Sequence, residues 1–172
     1  RKGHDNAIKA FSKIVDKYPN LRLFIAGGGS SEALIVYKSL ATELNIADKV
    51  KFSECQISNM ANLYRAADLT LSLSKDGEAF GLIPFESSYM NTPFIAPNIG
   101  AITEFIQNNK NEVLVNPNDV DEIASYIEWV LNHYDEAIRV TQNVQEIIQK
   151  DISIYTMIQK LQKIYNKIDN PM

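Results

Sequence analysis

The sequence predicts an α/β domain, a doubly wound parallel sheet with helices on both faces. Short apolar runs alternate with longer segments of helical period along the chain. The connections between the runs are long enough to carry a helix back over the sheet, as parallel pairing requires. No repeat, low-complexity stretch or Gly/Ser linker divides the 172 residues, so they read as a single domain.

The elements follow in order. Asp5 to Tyr18 is a helix, with Ala7, Ile8, Phe11, Ile14, Val15 and Tyr18 on one face and Pro19-Asn20 as its stop. Leu21 to Ala26 is a compact apolar run ending in Gly27-Gly28-Gly29, a buried strand running into a turn. A helix from Ser31 to Leu44, a strand Val50–Phe52, a helix from Asn59 to Ala67 and a strand from Asp68 to Ser72 come next. After the loop Lys75 to Gly81, a helix runs from Ile83 to Met90, with Pro84 in its first turn, where a missing N–H costs nothing. Pro93 to Ala96 is a strand, Gly100 to Gln107 a short helix and Val113 to Val115 the last strand. Asn116-Pro117-Asn118-Asp119 caps a helix whose apolar face is Val120, Ile123, Ala124, Ile127, Val130 and Leu131. Two further helices, about 135–168, pack at the domain's edge. In the last of them Ile154, Met157, Ile158, Leu161, Ile164 and Ile168, with Tyr155 and Tyr165, read as core.

Composition narrows the function. Apolar residues make up 45% and charged residues 22%, ordinary for a globular protein. The net charge of −4 gives no general electrostatic reason to bind nucleic acid or an anionic membrane. No apolar run approaches the ~18 residues that span a bilayer. The lone cysteine, Cys55, cannot form an internal disulfide, which fits a reducing, cytoplasmic location. Arg1-Lys2-Gly3-His4 is no signal peptide and lacks an initiator methionine, so the chain reads as a piece of something longer.

In a doubly wound sheet ligands bind beyond the carboxyl ends of the strands. The loops there are Gly27–Ser31, Ser53–Ser58, Ser74–Gly81 and Pro97–Ala101. Ser74–Gly81 leads from a strand straight into a helix, whose first N–H groups lack internal partners and carry roughly half a positive charge. Together they make a phosphate site from backbone alone. Gly81 lets another group approach the chain. Glu78 in the loop and Glu86 in the first helical turn would repel a phosphate, so they fit better as acceptors for sugar hydroxyls on either side of it.

Glu78 and Glu86, with seven residues between them and Phe80-Gly81 inside, resemble the E-x7-E motif of retaining glycosyltransferases of the GT-B fold, particularly family 4. Five further segments agree in order. Lys2-Gly3-His4-Asp5 resembles K-G-x-D, and Leu23 to Gly29 resembles I-x-G-x-G. Tyr64-Arg65-Ala66-Ala67-Asp68 resembles Y-x-x-A-D, Asn91 to Ala96 resembles G-T-P-V-I-A, and Gly100 to Glu104 resembles G-G-x-x-E. The resemblance runs from residue 2 to about residue 130 and implies the Rossmann-like C-terminal, donor-binding half of such an enzyme.

It implies roles as well. Lys2 would contact the diphosphate of a nucleotide-sugar donor, and the stretch Ala79, Phe80, Gly81, Leu82 would cradle it through backbone amides. Glu86 would bind the ribose hydroxyls. Glu78 would sit by the donor sugar, so Lys2 and Glu78 are the residues nearest the chemistry. The loop around Cys55 and Gln56 would border the base. No metal and no cofactor beyond the donor substrate is expected, because helix-end amides and cations can stabilise the leaving diphosphate. The acceptor site would belong to a separate N-terminal domain. The fragment alone would bind nucleotide weakly, transfer nothing and touch no membrane, although the whole protein could sit at a membrane's cytoplasmic face.

The family reads E-G-F-G where this chain has Glu78-Ala79-Phe80-Gly81. Asn91 and Ala101 also replace glycines. If position 79 needs a positive φ, alanine there costs of order 1 kcal/mol. These replacements motivate one alternative, a degenerate transferase serving as an interaction domain; a sugar-nucleotide epimerase of similar fold is another. Gly27-Gly28-Gly29 is not a dinucleotide fingerprint, because Ser30-Ser31-Glu32 follows it. His4 and His133 lie far apart, and no cluster has metal-ligand spacing. Cys55 has no partner motif for a nucleophile, and Trp129 reads as helix packing.

Overall fold

The structure is a computed structural model that describes residues 1–27, 29–53, 58–106 and 113–169. Its order is α1 (His4–Ile14), β1 (Leu23–Ile25), α2 (Ser31–Glu43), β2 (Val50–Phe52), α3 (Met60–Ala66), β3 (Thr70–Leu71) and α4 (Leu82–Tyr89). β4 (Phe94–Pro97), α5 (Ile102–Phe105), β5 (Leu114–Val115), α6 (Val120–Asn132) and α7 (Tyr134–Ile147) follow. A π-helical turn (Ile148–Ile152) then leads to α8 (Ile154–Asp169).

All strand pairing is parallel. β1 pairs with β2, and β3, β4 and β5 form a second ladder in that order. Among the described residues no strand pairing joins the two ladders. They meet through α1. One side of that helix (Ala7, Ala10, Ile14) packs on Leu73, Ile95 and Val115, and another (Ile8, Phe11, Val15) packs on Ala41, Ile46 and Val50.

Side-chain alternation along β4 proves the two-sided arrangement. Ile95 faces α1 and α6, while Phe94 and Ala96 face α4, α5 and α7. β5 repeats the pattern, with Val115 on the first face and Leu114 on the second. Every residue of β4 is buried, as a central parallel strand must be.

Local chemistry sets the ends. α1 stops short of the expected Tyr18 because Pro19 disfavours helical backbone before it. Its last turn relaxes into three-residue hydrogen bonds, Lys17 N to Ile14 O and Tyr18 N to Val15 O. The Asp119 carboxylate accepts the Asp121 and Glu122 amides at 3.0 and 2.9 Å and so caps α6 as expected.

The last helix departs from expectation. α7 buries Ala137, Val140, Thr141 and Val144, and Gln145 donates to the Ser88 carbonyl on α4. α8 buries no comparable stripe: Ile154 is 74% exposed, Tyr155 70%, Tyr165 62% and Ile168 66%. The stripe exists, but extended backbone at Ser153 (ψ 149°) interrupts the helical path before α8, whose apolar side chains stay exposed. Periodicity locates an apolar face without specifying what lies against it. Among the described residues no helix is long and apolar enough to cross a membrane.

Candidate donor-binding site

The site grows from the carboxyl end of β3. Leu73 and Ser74 continue that strand into the interior. The Lys75 amide donates to the Arg1 carbonyl at 2.9 Å, which lays the start of the chain alongside this end. A second tie, Lys75 Nζ to Asp5 Oδ2 at 2.5 Å, fixes the first turn of α1 there. Lys2 is thereby held beside the Ser74–Gly81 loop.

Glu78 gathers the donors. Its Oε2 receives Lys2 Nζ at 2.9 Å and Ser74 Oγ at 2.6 Å. The Lys2 ammonium, then the Ser74 hydroxyl and the Gly81 amide, outweigh partial burial and hold the carboxyl below the usual carboxylate range. A depressed folded-state pKa stabilises the fold above the unfolded value and loses that contribution as pH falls through the folded one. Wild type should therefore lose stability on acidification below the ordinary glutamate range, and Glu78→Gln should flatten that part of the curve. Because Lys2 is 55% exposed, the difference is under about 1 kcal/mol. Denaturant midpoints across that range measure it, and parallel curves for the two proteins would count against the assignment.

α4 opens toward the same place. Its N-cap, Gly81, has left-handed backbone (φ 76°), and no side chain caps the helix. Pro84 lacks an N–H, and Leu82 is 60% exposed. The loop is held from inside by Phe80, which packs on Phe85 and Phe105 with ring centroids 5.3 and 5.7 Å away. From outside, Gly100 lies so close that a Cβ there would come within 2.1 Å of the Glu78 carbonyl, and the Ala101 amide donates to the Ala79 carbonyl at 3.3 Å.

Two of the three replaced glycines cost nothing here, and the third falls on a residue type that tolerates its backbone. Only Asn45 and Asn91 among the described non-glycine residues have positive φ, so Ala79 is unstrained. Asn91 adopts φ 60°, a region asparagine tolerates. Ala101 is right-handed helical, φ −65° and ψ −18°.

Lys2, Glu78, Ala79, Phe80, Gly81 and Leu82 thus converge. Glu86 lies in the second turn of α4 rather than the first, and its Oε2 accepts Tyr64 Oη at 2.8 Å. Burial, then the neighbouring Glu86 carboxylate, pushes the Tyr64 phenol up, so it stays a protonated donor. Cys55 and Gln56 lie outside the described residues. Sequence reasoning misses Ser74 and the Tyr64–Glu86 bond. Ser74 carries a signal, a hydroxyl directly after a buried stretch of strand; the Tyr64 contact joins two helices across β3 and carries none.

Two openings flank the start of α4. A cleft of about 460 Å³ lies between the carboxyl ends of β1 and β3, lined among others by Lys2, Gly27, Ser53, Ser74 and Ile83. A groove of about 480 Å³ follows the outer face of α4, where Met60, Tyr64, Leu82 and Tyr89 form a largely apolar wall with Glu86 set in it. His4 lines the cleft and packs edge-on against Tyr37. Partial burial lowers its pKa and favours neutral imidazole. Among the described residues no three His, Cys, Asp or Glu side chains are grouped to hold a metal ion.

This architecture matches solved glycosyltransferases. A glycosyltransferase from Rickettsia africae superposes with a TM-score of 0.85 at 27% identity, over 99% of this chain and 45% of that one. Anabaena HepE, solved in complex with UDP, gives 0.83 at 21% identity over 96% of this chain and 45% of its own, a likeness of fold. The family described as Glycosyl transferases group 1 matches residues 1–147, and the chain belongs to it. The D-inositol 3-phosphate glycosyltransferase of Mycolicibacterium smegmatis is 33% identical over 126 residues, 71% of this chain and 29% of that protein. The chain spans roughly a third of the length of such curated relatives.

Proposed function

We propose that this chain is the donor-binding domain of a retaining hexosyltransferase of family 4, which moves a hexose from a nucleoside diphosphate sugar to a hydroxyl acceptor. The observation that carries the reading is the convergence of the Lys2 ammonium and the uncapped start of α4 on Glu78. A diphosphate entering beside them would meet one cation and a helix end carrying partial positive charge. Both act most strongly as the leaving diphosphate gains charge, which is where such groups accelerate transfer.

Glu78, already held by Lys2 and Ser74, borders this spot and can accept hydroxyls of the transferred sugar. Glu86 is one turn further along, beside an apolar groove suited to a nucleoside, and its carboxylate can accept the ribose diol. No residue is assigned as general base. The acceptor site falls to the part of the protein that this chain does not span. The lone Cys55 and the absence, among the described residues, of a helix able to cross a membrane support a cytoplasmic setting. The UDP bound to HepE, a protein of like fold, makes a nucleoside diphosphate the first ligand to try.

Titration calorimetry with UDP and GDP tests the reading. Weak binding of one of them is expected, and no heat from either with a folded sample would overturn it. Glu86→Ala should weaken binding by more than about 1 kcal/mol through lost charged hydrogen bonds; unchanged affinity would remove the ribose role. The unstrained backbone at Ala79 and Ala101, and an asparagine in the left-handed turn at position 91, weaken the motive for a degenerate, non-catalytic reading.

A further inference from the structure

We infer that Tyr64 is a positioning residue that sets the Glu86 carboxylate for a vicinal diol; the inference rests on the ribose role proposed for Glu86. Glu86 sits on the outer face of α4, where a glutamate ordinarily samples many rotamers. Among the described residues it forms no ion pair, and the side chain that holds it is Tyr64, through the 2.8 Å bond from Oη to Oε2.

Tyr64 is itself fixed from below. It is only 5% exposed, and its carbonyl accepts Thr92 Oγ1 at 2.7 Å. The Thr92 amide donates to the Ser87 carbonyl at 3.0 Å, and Ser87 Oγ donates to Thr70 Oγ1 at 2.9 Å. Ser87 is the residue after Glu86. The donor and the helix bearing the acceptor are therefore pinned to the same buried turn, and Oη is a rigid donor aimed at a mobile carboxylate.

An ionised carboxylate offers about four lone-pair sites. Tyr64 takes one on Oε2, leaving Oε1 and the rest of Oε2 for two adjacent hydroxyl donors. Orienting the group before ligand arrives removes an ordering cost from binding. The benefit belongs to ligands with both hydroxyls, so Tyr64 should act on diol recognition more than on nucleotide binding in general.

The test measures affinity for UDP and GDP and for their 2′-deoxy forms, in wild type, Tyr64→Phe, Glu86→Ala and the double variant. Tyr64→Phe keeps the buried ring and should leave the fold intact, as circular dichroism checks. It should weaken the nucleotide that binds by about five- to tenfold, from loss of one charge-assisted bond's orienting effect. It should also shrink the ratio between ribo and deoxy affinities, and add little once Glu86 is alanine. A merely structural role would weaken both forms equally. If Glu86→Ala loses affinity while Tyr64→Phe keeps both affinity and ratio, the inference fails and the ribose reading stands. If Glu86→Ala changes nothing, the ribose reading fails and takes the inference with it.

Discussion

Gly3→Ala is expected to destabilise the protein by about 3 kcal/mol, the sum of a left-handed alanine and a buried overlap. Gly3 is buried with φ 76°, and a Cβ built on it would lie 1.9 Å from the Leu73 carbonyl oxygen. Neither partner can yield easily. Leu73 is core, and α1 begins at the next residue, His4. For a chain of this size the loss corresponds to a fall in Tm of about 6 to 12 °C. Gly77→Ala is the control: its φ is 61°, but nothing lies within 4 Å of the added Cβ, so it should cost only about 1 to 2 kcal/mol. Denaturant melts of the two variants decide the matter. Equal losses would mean that the approach of Gly3 to Leu73 does not matter to the fold. The substitution reaches the site as well, because Gly3 sets where Lys2 stands relative to Glu78.

The second large effect concerns Lys2. Lys2→Ala should weaken binding of the nucleoside diphosphate by about ten- to a hundredfold, the range of a hydrogen bond to a charged group. Binding of the parent nucleoside, uridine or guanosine, should change little. Under the transfer reaction proposed for the whole protein, the loss should be greater for turnover, about a hundred- to a thousandfold, because charge on the diphosphate is largest as it leaves. Equal weakening of diphosphate and nucleoside would instead place Lys2 outside the phosphate site. The variant also frees the Glu78 carboxylate from its ammonium partner, leaving Ser74 and the Gly81 amide on it. Combining it with Glu78→Gln separates lost attraction from newly unpaired negative charge.

How far the sequence can be read depends on how far apart the interacting residues lie. The loop from Ser74 to Gly81 and the helix after it are contiguous, so a turn signal, a proline near the helix start and an apolar run define them. Asp119 caps α6 within three residues of itself, and that too is legible. Lys2 and Glu78 are 76 positions apart. No period or spacing joins them, and only the resemblance to a family puts both near one phosphate. Nothing in the sequence points to their direct ion pair. Tyr64 belongs to a motif that assigns it no role, because its hydroxyl's partner is 22 positions away, beyond β3.

The apolar stripe of α8 makes the opposite point. Its period is clear in the sequence, yet its side chains lie in solvent. An amphipathic pattern belongs to one segment, whereas burial belongs to a pair of surfaces, and the described residues supply one of them. The parallel pairing that alternation suggests is present, in two ladders that both pack on α1. Alternation identifies strands and crossovers without saying which edges meet.

By itself, then, the sequence determined the α/β class, the helices and their caps, and the loop that meets the start of α4, since each depends on neighbours within a few residues. Tertiary structure alone decided that Lys2 and Ser74 share one carboxylate, that Tyr64 holds the other, and that Ala79 and Ala101 are unstrained. Those facts depend on backbone angles and on contacts between segments remote along the chain, which are fixed only when the core packs.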